Sequence, residues 1–277
     1  VLITGCSTGI GRATAQRLAR GDYTVYATAR RPETIAELER DGCRTLALDV
    51  TDEDSMQAAV QAVEQAEGAV GVLVNNAGYS QGGPVEQVPM DAVRRQFETN
   101  VFGPIRLIQL VLPGMRRQRW GKIVNVGSMG GRVTFPGGGL YHATKYSLEA
   151  LSDALRFEVR GFGVDAILIE PGLIVSDFAQ AAVRATDSLG GDADDGVYER
   201  FNTKLAELTT GVYEGPMRRL GGDPDTVARA IEKAITRRRA PTRVPVTASA
   251  HLTMLQRRLL PDRVWDTAMR AQLPQPR

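Results

Sequence analysis

Cysteine and histidine are nearly absent, with two of each in 277 residues. Cys6 and Cys43 form no CxxC pair, which excludes a disulfide framework as the organising device. Cys6 sits in a glycine-rich turn and reads as a small filler there, not a nucleophile. With His142 and His251 as the whole histidine complement, a metal cluster is not expected and no metal ligands are assigned. No apolar run approaches the roughly 18 to 20 residues that a membrane span needs. Charge of neither sign dominates: 34 basic residues stand against 32 acidic ones, a net +2. Bulk electrostatics therefore gives no case for nucleic acid as a partner. The chain opens on Val1-Leu2-Ile3-Thr4, a strand-like run and not a basic-plus-apolar leader, so cytoplasmic residence is the default expectation.

What is present is alternation. Strand-like runs at 1–4, 24–29, 44–47, 72–75, 122–126 and 165–169 alternate with helical patterns at 10–20, 32–41, 52–67, 90–117 and 141–160. Pro32 suits a first helical turn, and Asp52 a cap. Such alternation predicts an α/β, doubly wound parallel sheet with helices on both faces. The apolar strands suit a sheet buried on both sides. Beyond about residue 172 the pattern changes. An acidic, glycine-rich run, Gly190-Gly191-Asp192-Ala193-Asp194-Asp195-Gly196, lies among helical fragments such as 198–209. Asp223-Pro224-Asp225 caps a helix to about 238, and 242–247 reads as a last strand. Arg237-Arg238-Arg239 reads as a solvated helix end. One domain over 1–277 is expected, with 173–222 as a substrate lid and 248–277 as a C-terminal extension.

Two features carry chemistry. Thr4-Gly5-Cys6-Ser7-Thr8-Gly9-Ile10-Gly11 joins the first strand to the first helix. Glycines there let the backbone turn sharply and approach a pyrophosphate, whose charge the helix N-terminus attracts. Tyr141 and Lys145 stand four apart in a helical run, one turn apart on one face. A lysine ammonium beside the phenol favours the phenolate and lowers a pKa that is ordinarily about 10. His142, between them in sequence, reads as a neighbour and not as the base.

With these stand Asp49-Val50, Asn75-Asn76-Ala77-Gly78, Asn100, Ser128 and Pro171-Gly172. Together and in this order the motifs resemble the short-chain dehydrogenase/reductase family, in its compact subgroup. The resemblance covers 1 to about 178 and implies a Rossmann-type fold with a seven-stranded parallel sheet and a nicotinamide dinucleotide cofactor. In such proteins Gly5, Ser7, Thr8, Gly9, Ile10 and Gly11 form the cofactor turn. Asp49 contacts the adenine amino group with Val50 packed near it, and Asn76, Ala77 and Gly78 lie over the adenosine ribose. Without the resemblance, Asp49 reads equally as a turn or cap residue. Pro171 and Gly172 end the sixth strand. Ser176, where the family usually has threonine, keeps a hydroxyl for the carboxamide side of the nicotinamide.

The second strand ends Thr28-Ala29-Arg30-Arg31. Ala29 stands where the family's NAD-binding members place an aspartate, and Arg30 can pair with a 2′-phosphate. NADP(H) is therefore the preferred cofactor, with NAD(H) possible if Arg30 merely solvates a loop. At the catalytic end the resemblance implies that Ser128 donates a hydrogen bond to a carbonyl oxygen. Tyr141 passes the proton. Lys145 tunes the tyrosine and holds the nicotinamide ribose. Asn100 kinks its helix and holds a water relay to the lysine.

Substrate identity lies in the variable segments. The run 130–140 holds Phe135, Pro136 and three consecutive glycines. Lid residues Leu173, Ile174, Val175, Phe178, Phe201, Leu205, Leu208, Val212 and Tyr213 are apolar enough to line a pocket or to pack the lid down. The overall pattern resembles the branch that includes hydroxysteroid and retinol dehydrogenases and related bacterial oxidoreductases, which implies a lipophilic alcohol or ketone. The tail, with Trp265 and leucines at helical spacing, could cover the substrate mouth, touch a membrane surface or complete the core. Core or subunit packing is the expectation, with a homodimer or homotetramer as the assembly. Two other readings stay open: a cofactor-binding sensor without turnover, and a nucleotide-sugar epimerase or dehydratase.

Overall fold

Strands β1 (Leu2–Ile3), β2 (Tyr26–Ala29), β3 (Arg44–Ala47), β4 (Val72–Asn75), β5 (Gly121–Val126), β6 (Val164–Pro171) and β7 (Arg243–Val246) form one parallel sheet. Their order is β3-β2-β1-β4-β5-β6-β7. The computed structural model describes residues 1–176 and 196–276. Phe178 and the acidic run up to Asp195 lie outside them, as does the side chain of Tyr213. Every residue of β4 and β5 is buried, as a sheet covered on both faces requires.

Each face has its own core. On one, Leu18 of α1 (Gly9–Ala19) and Val227 and Ile231 of α7 (Pro224–Thr236) pack on Ile3, Val74 and Ile169. On the other, α2 (Glu53–Glu67), α4 (Gly103–Gln118) and α5 (Gly139–Val159) bring Val60, Leu107, Val111 and Leu155 onto Leu2, Leu73 and Ile123. Asp52 and Asp223 cap α2 and α7, accepting from Ser55 N at 3.0 Å and Thr226 N at 2.7 Å. At the far end of α7 the buried Lys122 donates to the carbonyls of Ile235 (2.6 Å) and Arg237 (2.8 Å). That satisfies the last-turn oxygens and leaves Arg237, Arg238 and Arg239 exposed. No helix among the described residues is long and apolar enough to cross a membrane.

Three expected elements differ. The stretch 32–41 winds as a 3-10 helix. The long helix expected at 90–117 is three pieces: α3 (Met90–Phe97), a π turn (Glu98–Phe102) and α4. Pro104 has no N–H to give the Asn100 carbonyl four residues back, so the α ladder cannot close there. Gly103 N instead donates to Glu98 O, five back, which is the π pattern. The tail is two helices, α8 (Ala248–Leu259) and α9 (Asp262–Gln272), parted at Pro261. Between β6 and β7 lies α6 (Glu199–Glu214).

The strand order reverses between β1 and β4. In a sheet of this kind the crevice at the carboxyl ends beside that reversal is where ligands bind.

Candidate active site

A cavity of about 1460 Å³ opens at those carboxyl ends. Seventeen of the nineteen predicted site residues line it: Gly5, Ser7, Thr8, Gly9 and Ile10 of the β1–α1 turn, Arg30, Asp49, Val50, Asn76, Ala77, Gly78, Ser128, Tyr141, Lys145, Pro171, Gly172 and Ser176, with Gly11 and Asn100 outside its lining. 

The cofactor end is built on backbone. Gly5 has φ +72°, and a Cβ there would stand 2.9 Å from Ala77 Cα. A Cβ on Gly11 would meet Gly5 O at 2.3 Å and Asn76 Nδ2 at 2.4 Å. Thr4, which the sequence reading left without a role, is the hub. Its Oγ1 accepts from Asn76 N (3.0 Å) and Ala77 N (2.9 Å), and Asn76 Nδ2 returns to Thr4 O at 2.9 Å. β1 and β4 are thus locked together at the reversal. Gly9, at φ +60°, has open space where a side chain would sit. Thr8 makes no side-chain cap to α1, and the first turn holds no acid. First-turn N–H groups without a side-chain acceptor, beside open space, fit a diphosphate. Arg30 is exposed on the cavity rim. Arg12, also missed, donates to Ser7 O at 3.1 Å and pairs with Glu37. Asp49 Oδ1 accepts from Thr51 N (2.9 Å) and Thr51 Oγ1 (2.8 Å), so it is a turn residue as well as a wall residue.

At the catalytic end Ser128 caps the short 3-10 turn Met129–Gly131, accepting from Gly130 N at 3.0 Å. Lys145 Nζ donates to Val126 O at 2.9 Å and stands 5.8 Å from the centre of the Tyr141 ring. Burial pushes its ammonium down to about 8, because charge is disfavoured away from water. His142 is also buried, which lowers its pKa; Nδ1 pairs with Gly130 O at 3.0 Å. Its ring lies 5.9 Å from that of Phe135 and 5.6 Å from that of Tyr141. It anchors the loop before Tyr141. The Asn100 side chain is committed: Nδ2 donates to Tyr79 O (2.9 Å) and Thr144 Oγ1 (3.1 Å), and Oδ1 accepts from Tyr79 N (3.1 Å). Cys6 is fully buried and its thiol is pushed up to about 12, leaving no thiolate for nucleophilic chemistry.

The far end of the cavity is apolar. Leu205, Leu208 and Val212 of α6 line it together with Leu173 and Phe135. Trp265, Ala268 and Met269 of α9 and the following Leu273 complete the wall, with Trp265 6.0 Å from Phe135, centre to centre. The expectation of core or subunit packing for Trp265 is therefore corrected: it lines the cavity. Positions 265, 268, 269, 272 and 273 form one helical stripe, all of it on the cavity.

A doubly wound sheet with a glycine turn at its reversal defines a dinucleotide-binding fold. The family profile described as short chain dehydrogenase matches residues 1–187, and the chain belongs to that family of oxidoreductases. It is 36% identical to the uncharacterized oxidoreductase YusZ of Bacillus subtilis, covering 98% of this chain and 97% of that one. It is 34% identical to a 3-ketodihydrosphingosine reductase of Bacteroides thetaiotaomicron (98% and 96% covered). An NADPH-dependent 3-dehydrocapnine reductase of Ornithobacterium rhinotracheale shares 32% identity (96% and 94%). Among solved structures, a short-chain dehydrogenase from Streptomyces avermitilis superposes with a TM-score of 0.76 at 32% identity, covering 98% of both chains. A serine dehydrogenase complexed with NADP+ gives 0.75 at 26% identity, covering 88% and 92%.

Proposed function

We propose that this chain is an NADP(H)-dependent oxidoreductase interconverting an apolar alcohol with its ketone or aldehyde. One observation carries the reading: a single cavity joins Ser128, Tyr141 and Lys145 to a diphosphate-compatible turn at one end and an apolar wall at the other. When bound, the nicotinamide supplies the hydride. The residues of the chain do the rest. In reduction Tyr141 gives its phenolic proton to the carbonyl oxygen, while the Ser128 hydroxyl donates a hydrogen bond to the same oxygen as charge builds there. Lys145, with its ammonium poised near neutral pH, favours the departing phenolate. Asn100 is assigned a positioning role, tying the π turn to α5 through Thr144. Oxidation of the alcohol runs the same transfers backwards.

Arg30 at the rim, with Ala29 where a carboxylate would repel a 2′-phosphate, supports NADP(H) over NAD(H). The NADPH-dependent relative and the NADP+-bound neighbour favour the same choice. The apolar wall, with one relative named as a 3-ketodihydrosphingosine reductase and another as a 3-dehydrocapnine reductase, supports a lipophilic carbonyl substrate. A dimer or tetramer through α4 and α5 is supported by Phe157 and Tyr146, apolar side chains exposed on α5. Oxidation of NADPH, followed by absorbance against a panel of ketones and aldehydes, tests the reading. Consumption with bulky apolar members is expected. Tight NADPH binding with no consumption across the panel would overturn it in favour of a sensor.

A further inference from the structure

Behind the catalytic helix lies a set of charged side chains that the proton-transfer site does not use. Glu149 follows Lys145 by one turn of α5 and is 8% exposed; Glu170, at the end of β6 just before Pro171, is 0% exposed. Among the described residues, none donates a hydrogen bond to either oxygen of Glu170 or to Oε1 of Glu149. Carboxylate oxygens buried without donors are costly. The surrounding cations reach the pair only in part. Arg243 of β7 donates to Glu149 Oε2 (3.1 Å) and Asp153 Oδ2 (2.7 Å). Arg156 donates to Asp153 Oδ1 at 3.0 Å. Arg132 comes only to 3.6 Å from Glu170 Oε1.

A proton shared between the two carboxyls would supply the missing donor. The two carboxyls lie within hydrogen-bond reach, and burial together with the charge of Glu170 pushes Glu149 up to about 7. Of the other groups facing them, Asp153 is held low by Arg243 and Arg156, and Arg243 is itself raised by Asp153 and Glu149. Lys145, on the same helix, titrates later, at about 8.

The pair sits where it can act on the site. Gly131, in the turn that Ser128 caps, packs so closely that a Cβ there would stand 3.0 Å from Glu149 Cγ and 2.8 Å from Lys145 O. Glu170 leads straight into Pro171 and Gly172 of the cavity wall. We propose that Glu149 and Glu170 are positioning residues that share one buried proton, which holds together the Ser128 turn, the Lys145 helix and the strand end carrying Gly172. The role in catalysis rests on the reductase reading above. Loss of the proton puts two negative charges in one buried space and drives α5 from β6. Because the native-state value lies above the ordinary 4.5, the pair's stabilisation is complete below that value and is lost as pH rises through about 7.

The test measures NADPH affinity by titration and kcat on the whole chain from about pH 6 to 9, bracketing the transition near 7. In the parent both should weaken several-fold as the pair loses its proton. Glu149→Gln, whose amide carries a permanent N–H donor, should flatten that inflection. Glu149→Ala should lose about tenfold in kcat relative to Glu149→Gln, since it removes the donor altogether. A parent without the inflection, a Gln variant that keeps it, or a Gln variant as impaired as the Ala variant would each overturn the proposal. If Glu149→Gln does not fold, Glu170→Gln places the same donor from the other side, and an unchanged inflection there overturns it equally. NADPH titration needs no turnover. An inflection flattened by the Gln variant in a chain that reduces no carbonyl would refute the reductase reading while upholding the shared proton.

Discussion

The two ends of the cavity are built by different rules. At the cofactor end the tolerances are set by main chain: Gly5 against Ala77, Gly11 against Gly5 O, and Thr4 holding Asn76 and Ala77. At the substrate end, side chains from α6, α9 and the loop at Phe135 meet across open space. Backbone packing admits one residue type at a given place, whereas an apolar wall admits any side chain of suitable volume. The first end should therefore fail abruptly on substitution and the second by degrees.

Between the two ends stands Tyr141, and its loss should have the largest effect. Tyr141→Phe removes the proton and leaves the ring, so kcat should fall about 10²–10⁴-fold. NADPH affinity, read by fluorescence titration, should stay within a few-fold; retained turnover would remove the tyrosine from its role. Next comes Gly11→Ala. A Cβ 2.3 Å from a carbonyl oxygen cannot be accommodated by side-chain rotation, and about 1–3 kcal/mol of stability should go. Thermal unfolding together with NADPH titration checks this. An unchanged Tm with normal affinity would erase the contrast between the two ends. Arg30→Ala should weaken NADPH about tenfold, as loss of a charge-assisted phosphate contact implies, and leave NADH nearly unchanged. Equal losses would return the chain to dual use. Trp265→Ala should have the smallest effect, raising KM several-fold for a bulky ketone through lost apolar burial. KM for a short ketone should be untouched.

The same contrast explains what the sequence disclosed. The glycine turn at 5–11, Asn76 to Gly78, Ser128 and the Tyr141–Lys145 pair could be picked out as candidates because close backbone approach, or the proton transfer proposed above, calls for those residue types at those spacings. The sheet was legible through its buried apolar runs. Thr4 was not: a threonine that accepts two main-chain N–H groups looks in sequence like any strand threonine. The kink that the resemblance implied at Asn100 has its physical reason in Pro104, which leaves the Asn100 carbonyl without a donor. Trp265 was misjudged because its stripe states that one face is covered, not what covers it. Glu149 and Glu170 lie 21 positions apart, and only the packing of α5 on β6 shows that they meet.

The most direct measurement is kcat/KM for NADPH-dependent reduction across a homologous series of straight-chain ketones. If Tyr141 passes the proton as proposed and an apolar wall lies beyond it, kcat/KM should climb about fourfold per added methylene until the wall is covered. Affinity for NADPH should stay constant along the series. A flat response, or the highest value at the shortest ketone, would contradict the assignment of this cavity to an apolar carbonyl substrate.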